Sequence, residues 1–281
     1  MRAGTPSVAV VGHVEWVQFA RVEHVPAPGE VAHARDGFEE PAGGGAVAAV
    51  QLARLAGTAT LLTALGGDEE GRRSRGRLTE LGVEVRSALR SERTRRAVTL
   101  VDARRERTIT TFGERLEPRG DDDLGWERLR GVDAVYFTAG DERALRATRA
   151  ASRIVVASPR ARHALGHGVK LDALVLSAHD NVELGELARG QSEAQVVVLT
   201  EGERGGRYRT REGREGRYGP ASVPGEPVDS YGCGDSFAAG FAYGLAVGLE
   251  LEDALALGAR CGAICMTGRG PYGRQLRGEE L

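Results

Sequence analysis

The chain has 281 residues, with 38 basic and 40 acidic side chains and a formal net charge of −2. This mixture of charges excludes partners that bind mainly by electrostatic attraction, such as nucleic acids and membrane surfaces, and no apolar run reaches the ~18 residues of a membrane span. No signal peptide is visible, and three cysteines without zinc-binding spacing suit a reducing compartment, so we expect a cytoplasmic protein.

The first part of the chain alternates apolar strands with helical patterns. Residues 7–12 and 59–66 are nearly continuous apolar runs, which are typical of parallel strands buried on both faces. Helical periodicity predicts one helix that opens within 41–46 and runs to Gly57, and a second helix over 69–81. The elements in the first third of the chain therefore already predict an α/β protein.

Two other segments are patterned as half-exposed strands. Residues 13–22 alternate loosely with period two and lead to a Pro-Ala-Pro-Gly-Glu turn at 26–30. Residues 96–102 and 107–112 predict a hairpin, because a short polar loop joins two strand-like runs.

From residue 132 onward, four short apolar runs alternate with helical stretches. This punctuation predicts βαβ units, and therefore a parallel sheet with helices on both faces. The four runs are 134–137, 154–157, 173–176 and 196–199. The stretch 202–219 is rich in Arg, Gly and Glu and is predicted to be a loop.

The segment 229–237 reads Asp-Ser-Tyr-Gly-Cys-Gly-Asp-Ser-Phe and opens a long apolar helical pattern. Gly232 and Gly234 permit a turn that leaves backbone N–H groups free at a helix N-terminus, and such a turn binds anions such as phosphate. A carboxylate at this place, Asp235, repels phosphate but can take a proton from an attacking hydroxyl. Because Lys170 is the single lysine, a Walker P-loop with its Gly-Lys-Ser/Thr is excluded.

This segment resembles the signature Asp-Thr-x-Gly-Ala-Gly-Asp-x-Phe of the ribokinase-like (PfkB) carbohydrate kinases. The resemblance implies one domain over 1–281, with a three-layer α/β/α fold, a mostly parallel central sheet and a small discontinuous β-lid. The lid segments are expected at about 14–36 and 84–113. In the family the lid covers the sugar and often forms the dimer contact, so a homodimer through the lid is expected from the resemblance.

The resemblance also assigns roles to individual residues. Asp235 corresponds to the catalytic base, and its three predecessors correspond to the anion hole. The turn at 200–205 matches the family's Thr-x-Gly-x-x-Gly nucleotide turn, and 180–183 aligns with its Asn-x-x-Glu segment, which organises magnesium and phosphate. The implied sets are Asp235, Gly232, Cys233 and Gly234 for catalysis, Thr200, Gly202, Gly205, Asp180, Glu183 and Asp229 for ATP and its ions, and Asp180 with Glu183 for Mg²⁺.

Two of the assigned segments, 200–205 and 180–183, have a purely structural alternative. Residues 200–205 can be a simple glycine turn between a strand and a hairpin. Asp180 can be a helix N-cap, with Glu183 completing a capping box. Asp229 is linked only to a monovalent cation that some family members use.

The position of Cys233 near a helix N-terminus favours the thiolate and predicts sensitivity to alkylation that ATP would block.

The substrate half departs from the family pattern. Val17 stands where an Asp usually holds sugar hydroxyls, and Val47 stands where the glycine signature has Asn. Buried substrate hydroxyls need hydrogen-bond partners, so other residues must supply them. The candidates are His13, Glu15, Trp16 and Arg35, together with Gly43 and Gly44 of the glycine signature. Trp16 could stack on a sugar or a base, or pack within the lid.

The predicted function is ATP-dependent transfer of the γ-phosphoryl group to a hydroxyl of a sugar or related small molecule. A nucleoside kinase on the same fold is the first alternative. A catalytically weak nucleotide- or metabolite-binding protein is the second, because the substrate residues are altered while Asp235 is intact.

Overall fold

The computed structural model describes residues 4–191 and 193–281. The strands, numbered in chain order, are β1 Val8–Val11, β2 Glu15–Arg21, β3 Asp36–Ala42, β4 Ala59–Gly66, β5 Val83–Arg90, β6 Arg96–Val101, β7 Arg107–Phe112, β8 Val132–Phe137, β9 Ser152–Ala157, β10 Leu171–Ser177, β11 Ala194–Thr200, β12 Gly206–Thr210 and β13 Glu215–Tyr218. The α-helices are α1 Gly44–Ala56, α2 Glu69–Glu80, α3 Glu142–Ala151, α4 Asn181–Gly190, α5 Cys233–Ala246 and α6 Leu251–Cys265.

The central sheet has nine strands within the described residues, in the order β13-β12-β11-β10-β9-β8-β1-β4-β5. The strands from β11 to β5 are parallel, as the apolar runs predicted. Only β12 and β13 are antiparallel to their neighbours. The prediction of a loop over 202–219 is therefore wrong, since most of that stretch is a hairpin whose Tyr208 and Tyr218 are buried.

Helices cover both faces of this sheet. Helices α1, α5 and α6 contribute to one apolar core, which includes Leu52, Phe241 and Leu255. The opposite face carries a second core, with Phe137 from β8 and Leu145 from α3. The predicted three-layer α/β/α architecture is confirmed. None of the helices in the described part of the chain has the length and apolar character that a membrane crossing requires.

A second sheet of four strands, β3-β2-β6-β7, makes the lid. The predicted hairpin is present as β6 and β7, which pair antiparallel. The predicted lid boundaries need two corrections. Strand β5 pairs in parallel with β4 and belongs to the central sheet, although it lies mostly inside the predicted segment 84–113. Strand β3 extends the first lid segment beyond residue 36 to Ala42.

Helices α5 and α6 approach each other closely because glycines lie at their contact. A Cβ on Gly240 would overlap Cys261 Sγ and lie 3.2 Å from the Cα of Gly258. A Cβ on Gly244 would lie 2.9 Å from the Cα of Ala254. These two glycines therefore set the distance between the helices, and they help to fix the orientation of α5.

We expect Gly240→Ala to lower the free energy of unfolding by ~1–3 kcal/mol, since the added methyl group overpacks the contact between α5 and α6. Gly76→Ala is the matched control. It lies in helix α2, where nothing is within 4 Å of the added Cβ, and it should raise stability by ~1 kcal/mol. Urea unfolding of both variants tests this, and equal effects of the two substitutions would contradict the packing argument.

Candidate active site

The site lies where the parallel strands of the central sheet end, the edge at which open α/β sheets bind ligands. Thr138 directly follows β8, and Arg160 and Asp180 come a few residues after β9 and β10. Thr200 is the last residue of β11. The chain therefore delivers one polar side chain from each of four neighbouring strands to the same edge.

The N-terminus of α5 faces this edge. Its cap residue, Gly232, has a left-handed backbone with φ +82°, and a Cβ there would lie 2.9 Å from Val47 Cγ1. Glycine meets both constraints. The first amides of a helix have no partner within the helix and carry its positive dipole end. The predicted anion hole at Gly232, Cys233 and Gly234 has the geometry of such a terminus.

Asp235 lies in the first turn of α5, against the N-terminus of α1. A Cβ on Gly44 would lie 3.0 Å from Asp235 Oδ1 and 3.0 Å from Thr138 Oγ1, so glycine keeps this space open beside the carboxylate. Burial raises the pKa of Asp235 above its usual value, and the positive charges of Arg160 and Arg107 partly oppose that rise. The carboxylate is thus a stronger base than an exposed aspartate.

Arg160 and Arg107 were missed by the sequence reasoning. Arg160 donates from Nε to Glu183 Oε1 at 2.6 Å and from Nη2 to Asp180 Oδ2 at 3.3 Å. Arg107 belongs to lid strand β7 and donates from Nη1 to the carbonyl oxygen and hydroxyl of Ser230, at 2.9 and 3.0 Å. The position of Arg160 shortly after a predicted strand was a usable signal, whereas the contact of Arg107 depends on how the lid folds over the turn.

His13, Glu15, Gly43 and Gly44 are brought together beside Asp235. A Cβ on Gly43 would lie 3.0 Å from the imidazole of His13 and 3.3 Å from Glu15 Cγ. Both side chains are buried. Burial raises the pKa of Glu15, and Arg95, Arg160 and Arg115 oppose this rise. Glu15 is thus a buried carboxylate in the same cluster as Asp235, and its role in substrate binding stays a prediction.

Trp16 and Arg35 are not part of this cluster. Trp16 is adjacent to Glu15 on β2 and points to the other face of the lid sheet, where the guanidinium of Arg73 lies 4.2 Å from its ring centroid. Of the alternatives for Trp16, a structural contact of the lid is the one observed, made at its interface with helix α2. Arg35 is exposed and forms an ion pair with Glu23. Proposing these two residues as substrate contacts was wrong.

Thr200, Gly202 and Gly205 line a cavity of about 360 Å³ together with Cys233 and Gly234 of the anion turn. Its other walls are largely apolar and include Tyr218, Val223, Pro227, Phe237, Ala263 and Met266. The predicted nucleotide turn and the predicted anion hole thus share one cavity.

Comparison with known proteins identifies the family. The sequence profile of the pfkB family carbohydrate kinases matches residues 5–163 and 170–275. The chain belongs to this family. It is 29% identical over 272 residues to the ATP-dependent ribose-1-phosphate kinase of Halopiger xanaduensis, an alignment that covers 92% of this chain and 90% of that protein.

Solved structures of this family share the fold. Arabidopsis thaliana ribokinase, complexed with ribose and ATP, superposes with a TM-score of 0.76 at 20% identity, covering 98% of this chain and 97% of that one. Methanocaldococcus jannaschii nucleoside kinase gives 0.72 at 17% identity, covering 99% and 97%. The family match and the relative from Halopiger xanaduensis confirm the predicted ATP-dependent phosphotransferase acting on a hydroxyl of a sugar or related molecule.

In this pfkB kinase, Asp180 and Glu183 are already engaged. Asp180 Oδ1 caps α4 by accepting from the amides of Val182 and Glu183, at 3.0 and 3.1 Å. Glu183 Oε2 accepts from the amide of Ser177 at 2.7 Å, and Arg160 contacts both carboxylates. A guanidinium therefore lies where a directly coordinated dication would be needed. The pair fits Mg²⁺ only through the ion's water shell, and its role in magnesium binding stays a prediction.

Asp229 has a clear structural role in the kinase. Its Oδ1 accepts from the amide of Tyr231 at 2.8 Å, and its Oδ2 accepts from the amide of Gly270 at 2.6 Å. It thus ties the anion turn to the segment after α6. The link of Asp229 to a monovalent cation stays a prediction.

Cys233 differs from expectation. A hydrogen bond with Cys265, followed by burial, raises the pKa of the Cys233 thiol well above its usual value. The helix N-terminus does not compensate for these two effects, so the predicted favoured thiolate is wrong.

We expect iodoacetamide to modify native Cys233 at neutral pH at a rate at least about tenfold below that of a free cysteine, because reactivity follows the thiolate. ATP should slow this rate further, because Cys233 lines the nucleotide cavity. Mass spectrometry of the labelled peptide, with Cys233→Ser as the assignment control and denatured protein as the reference for full labelling, measures it. Fast labelling of the native protein at neutral pH would show that the thiol is ionised.

Proposed function

We propose that Asp235 is the general base with which this ATP-dependent kinase deprotonates the acceptor hydroxyl. The observation that carries the proposal is its position. Its carboxylate lies between the N-terminus of α5, which forms one end of the nucleotide cavity, and Gly44. The preceding residue, Gly43, adjoins His13 and Glu15, which form the acceptor side. The raised pKa of Asp235 strengthens it as a base.

In this arrangement, the γ-phosphoryl group would pass from the nucleotide cavity to the acceptor at the N-terminus of α5. The adenine of ATP occupies the apolar part of the 360 Å³ cavity, with Thr200, Gly202 and Gly205 beside the ribose and phosphates. The amides of residues 232–234 receive the charge that develops on the γ-phosphoryl oxygens. Arg160 and Arg107, which both act on Asp235, add positive charge to the same region. ATP generally brings Mg²⁺ with it, which neutralises the phosphates.

A sugar is the acceptor that the site favours. Glu15 can accept hydrogen bonds from sugar hydroxyls, and the glycines at 43 and 44 leave room beside it and beside Asp235. The relative from Halopiger xanaduensis, by its name, acts on ribose 1-phosphate, so this compound belongs in the acceptor panel. The nucleoside alternative loses its main support because Trp16, the aromatic ring proposed to stack on a base, lies on the other face of the lid.

Three finer features belong to the same proposal. A homodimer through the lid is supported by strand β7, whose six residues are all exposed, including Ile109 and Phe112. A cytoplasmic location is supported by three free cysteines. A monovalent cation near Asp229 rests only on the resemblance to family members.

Asp235→Asn should lower kcat by ~10²–10⁴-fold, the range typical of a lost general base. The affinity for ATP should stay within about twofold, since the amide has the same shape and the nucleotide cavity is unchanged. Coupled ADP release over a panel of sugars, sugar phosphates, polyols and nucleosides measures turnover, and calorimetry measures ATP binding. Asp253→Asn, on the exposed side of α6, is the matched control.

Turnover of Asp235→Asn near the wild-type rate would exclude the assignment of the base. ATP binding by the wild type with no turnover on any acceptor would instead favour the binding-protein alternative.

A further inference from the structure

The acceptor side of the site is strongly cationic around a buried histidine. Burial lowers the pKa of His13 well below its usual value, and the charges that lower it further belong to Arg115, Arg160 and Arg95. Arg95 directly precedes lid strand β6, and Arg115 lies just after β7. Three guanidinium groups from separate segments thus act on the charge of one buried imidazole beside the proposed acceptor position.

Several buried polar atoms at this point have no hydrogen-bond partner among the described residues. They are His13 Nδ1, Thr138 Oγ1 and Arg95 Nε. His13 is only 5% exposed, and Thr138 is fully buried. Thr138 Oγ1 faces the same space beside Gly44 as Asp235 Oδ1 does. Unpartnered buried polar atoms are costly and rare, so three in one place indicate groups that a ligand satisfies.

The carboxylates nearby do not use up these cations. Arg95 Nε is 3.6 Å from Glu15 Oε2, beyond hydrogen-bond distance, and Arg95 Nη2 donates to Thr111 Oγ1 at 2.7 Å. Arg115 forms an ion pair with Glu117 and donates from Nη2 to the carbonyl oxygen of Arg160 at 2.7 Å. Burial nonetheless lowers the pKa of Arg115, although Glu117 opposes this shift.

We propose that the acceptor is a sugar that already carries a phosphate group, and that Arg95 and Arg115, with His13, bind this phosphate, while Thr138 bonds to the sugar hydroxyl beside Asp235. The inference rests on the proposed kinase function. A phosphate ester presents three strong acceptor oxygens to guanidinium donors, a match that a neutral sugar cannot offer. The bound phosphate lies at the end of the sugar remote from the hydroxyl that faces Asp235, while Glu15 accepts from hydroxyls between the two ends.

This arrangement also explains why the substrate half departs from the family pattern. Valines at 17 and 47 remove the hydrogen-bond partners of a free sugar, and arginines from the lid replace them with partners for an anion. The reaction is an ordinary transfer. The acceptor oxygen bonds to the γ-phosphorus of ATP, the bond to the β,γ-bridging oxygen breaks, ADP leaves, and Asp235 takes the hydroxyl proton. The product is a sugar bisphosphate.

Two measurements test the proposal. Coupled ADP release compares pentose and hexose monophosphates with the corresponding free sugars, and we expect at least one monophosphate to give a kcat/KM tenfold or more above its free sugar. Calorimetry without ATP measures binding of the same compounds independently of turnover. Dependence on free sugars alone would overturn this inference and leave the kinase function intact. If no compound is phosphorylated, the kinase proposal fails, and binding alone decides whether the phosphate subsite exists.

Variants locate the subsite. Arg95→Gln and Arg115→Gln should each raise the KM and Kd for the monophosphate about 10- to 100-fold, as expected for a lost charged hydrogen bond. The KM for ATP should change less than about twofold. Arg96→Gln, at the exposed residue next to Arg95, and Arg119→Gln, exposed four residues after Arg115, are the matched controls. Equal effects of the site and control substitutions, or absence of monophosphate binding by the wild type, would overturn the assignment.

Discussion

The carboxylate of Asp235 is held in a buried position where a negative charge is tolerated because three positive influences surround it. These are the N-terminal dipole of α5 and the guanidinium groups of Arg160 and Arg107. Burial alone would neutralise the group, and full compensation would make it a weak base. The remainder of the site is arranged around this balance, because the nucleotide cavity, the acceptor side and the lid all meet at this carboxylate.

The fold brings the charged groups around Asp235 together from distant parts of the sequence. The parallel sheet brings Arg160, Asp180 and Thr200 to one edge, and the close contact of α5 with α6 fixes the direction of the anion turn. The lid adds Arg107 from β7, and this side chain binds Ser230 of the turn itself. A lid that moved away would therefore remove a positive charge from the catalytic region, which couples covering of the substrate to the electrostatics of Asp235.

Sequence patterns predicted the elements that depend mainly on interactions between residues close in sequence. Continuous apolar runs gave the buried parallel strands, and the glycine turn before Asp235 gave the anion site. Strand β5 was placed in the lid because an edge strand with one exposed face has the same alternation as a lid strand. The hairpin of β12 and β13 was taken for a loop because its surface is rich in Arg, Gly and Glu, although Tyr208 and Tyr218 carried a signal of burial.

The missed and misplaced site residues have a common cause. The alternation along β2 predicts that Glu15 and Trp16 face opposite ways, but it cannot say which face meets the substrate until α2 is seen to pack on the side of Trp16. The contacts of Arg95, Arg107 and Arg115 depend on how the lid closes over the sheet, which no local pattern encodes. Similarly, the high pKa of the Cys233 thiol depends on Cys265, a residue from another helix.

The acid limb of the pH profile of kcat/KM tests the electrostatic account most directly, because it reports the pKa of the base in the free enzyme. The ionised form of Asp235 is active, so activity should fall with decreasing pH at a value above the usual aspartate pKa of 3.8. Arg160→Gln removes a charge that stabilises the carboxylate and should move this limb to higher pH. Arg162→Gln, exposed two residues later, should leave it in place. An acid limb that does not move in Arg160→Gln, or moves to lower pH, would contradict the account.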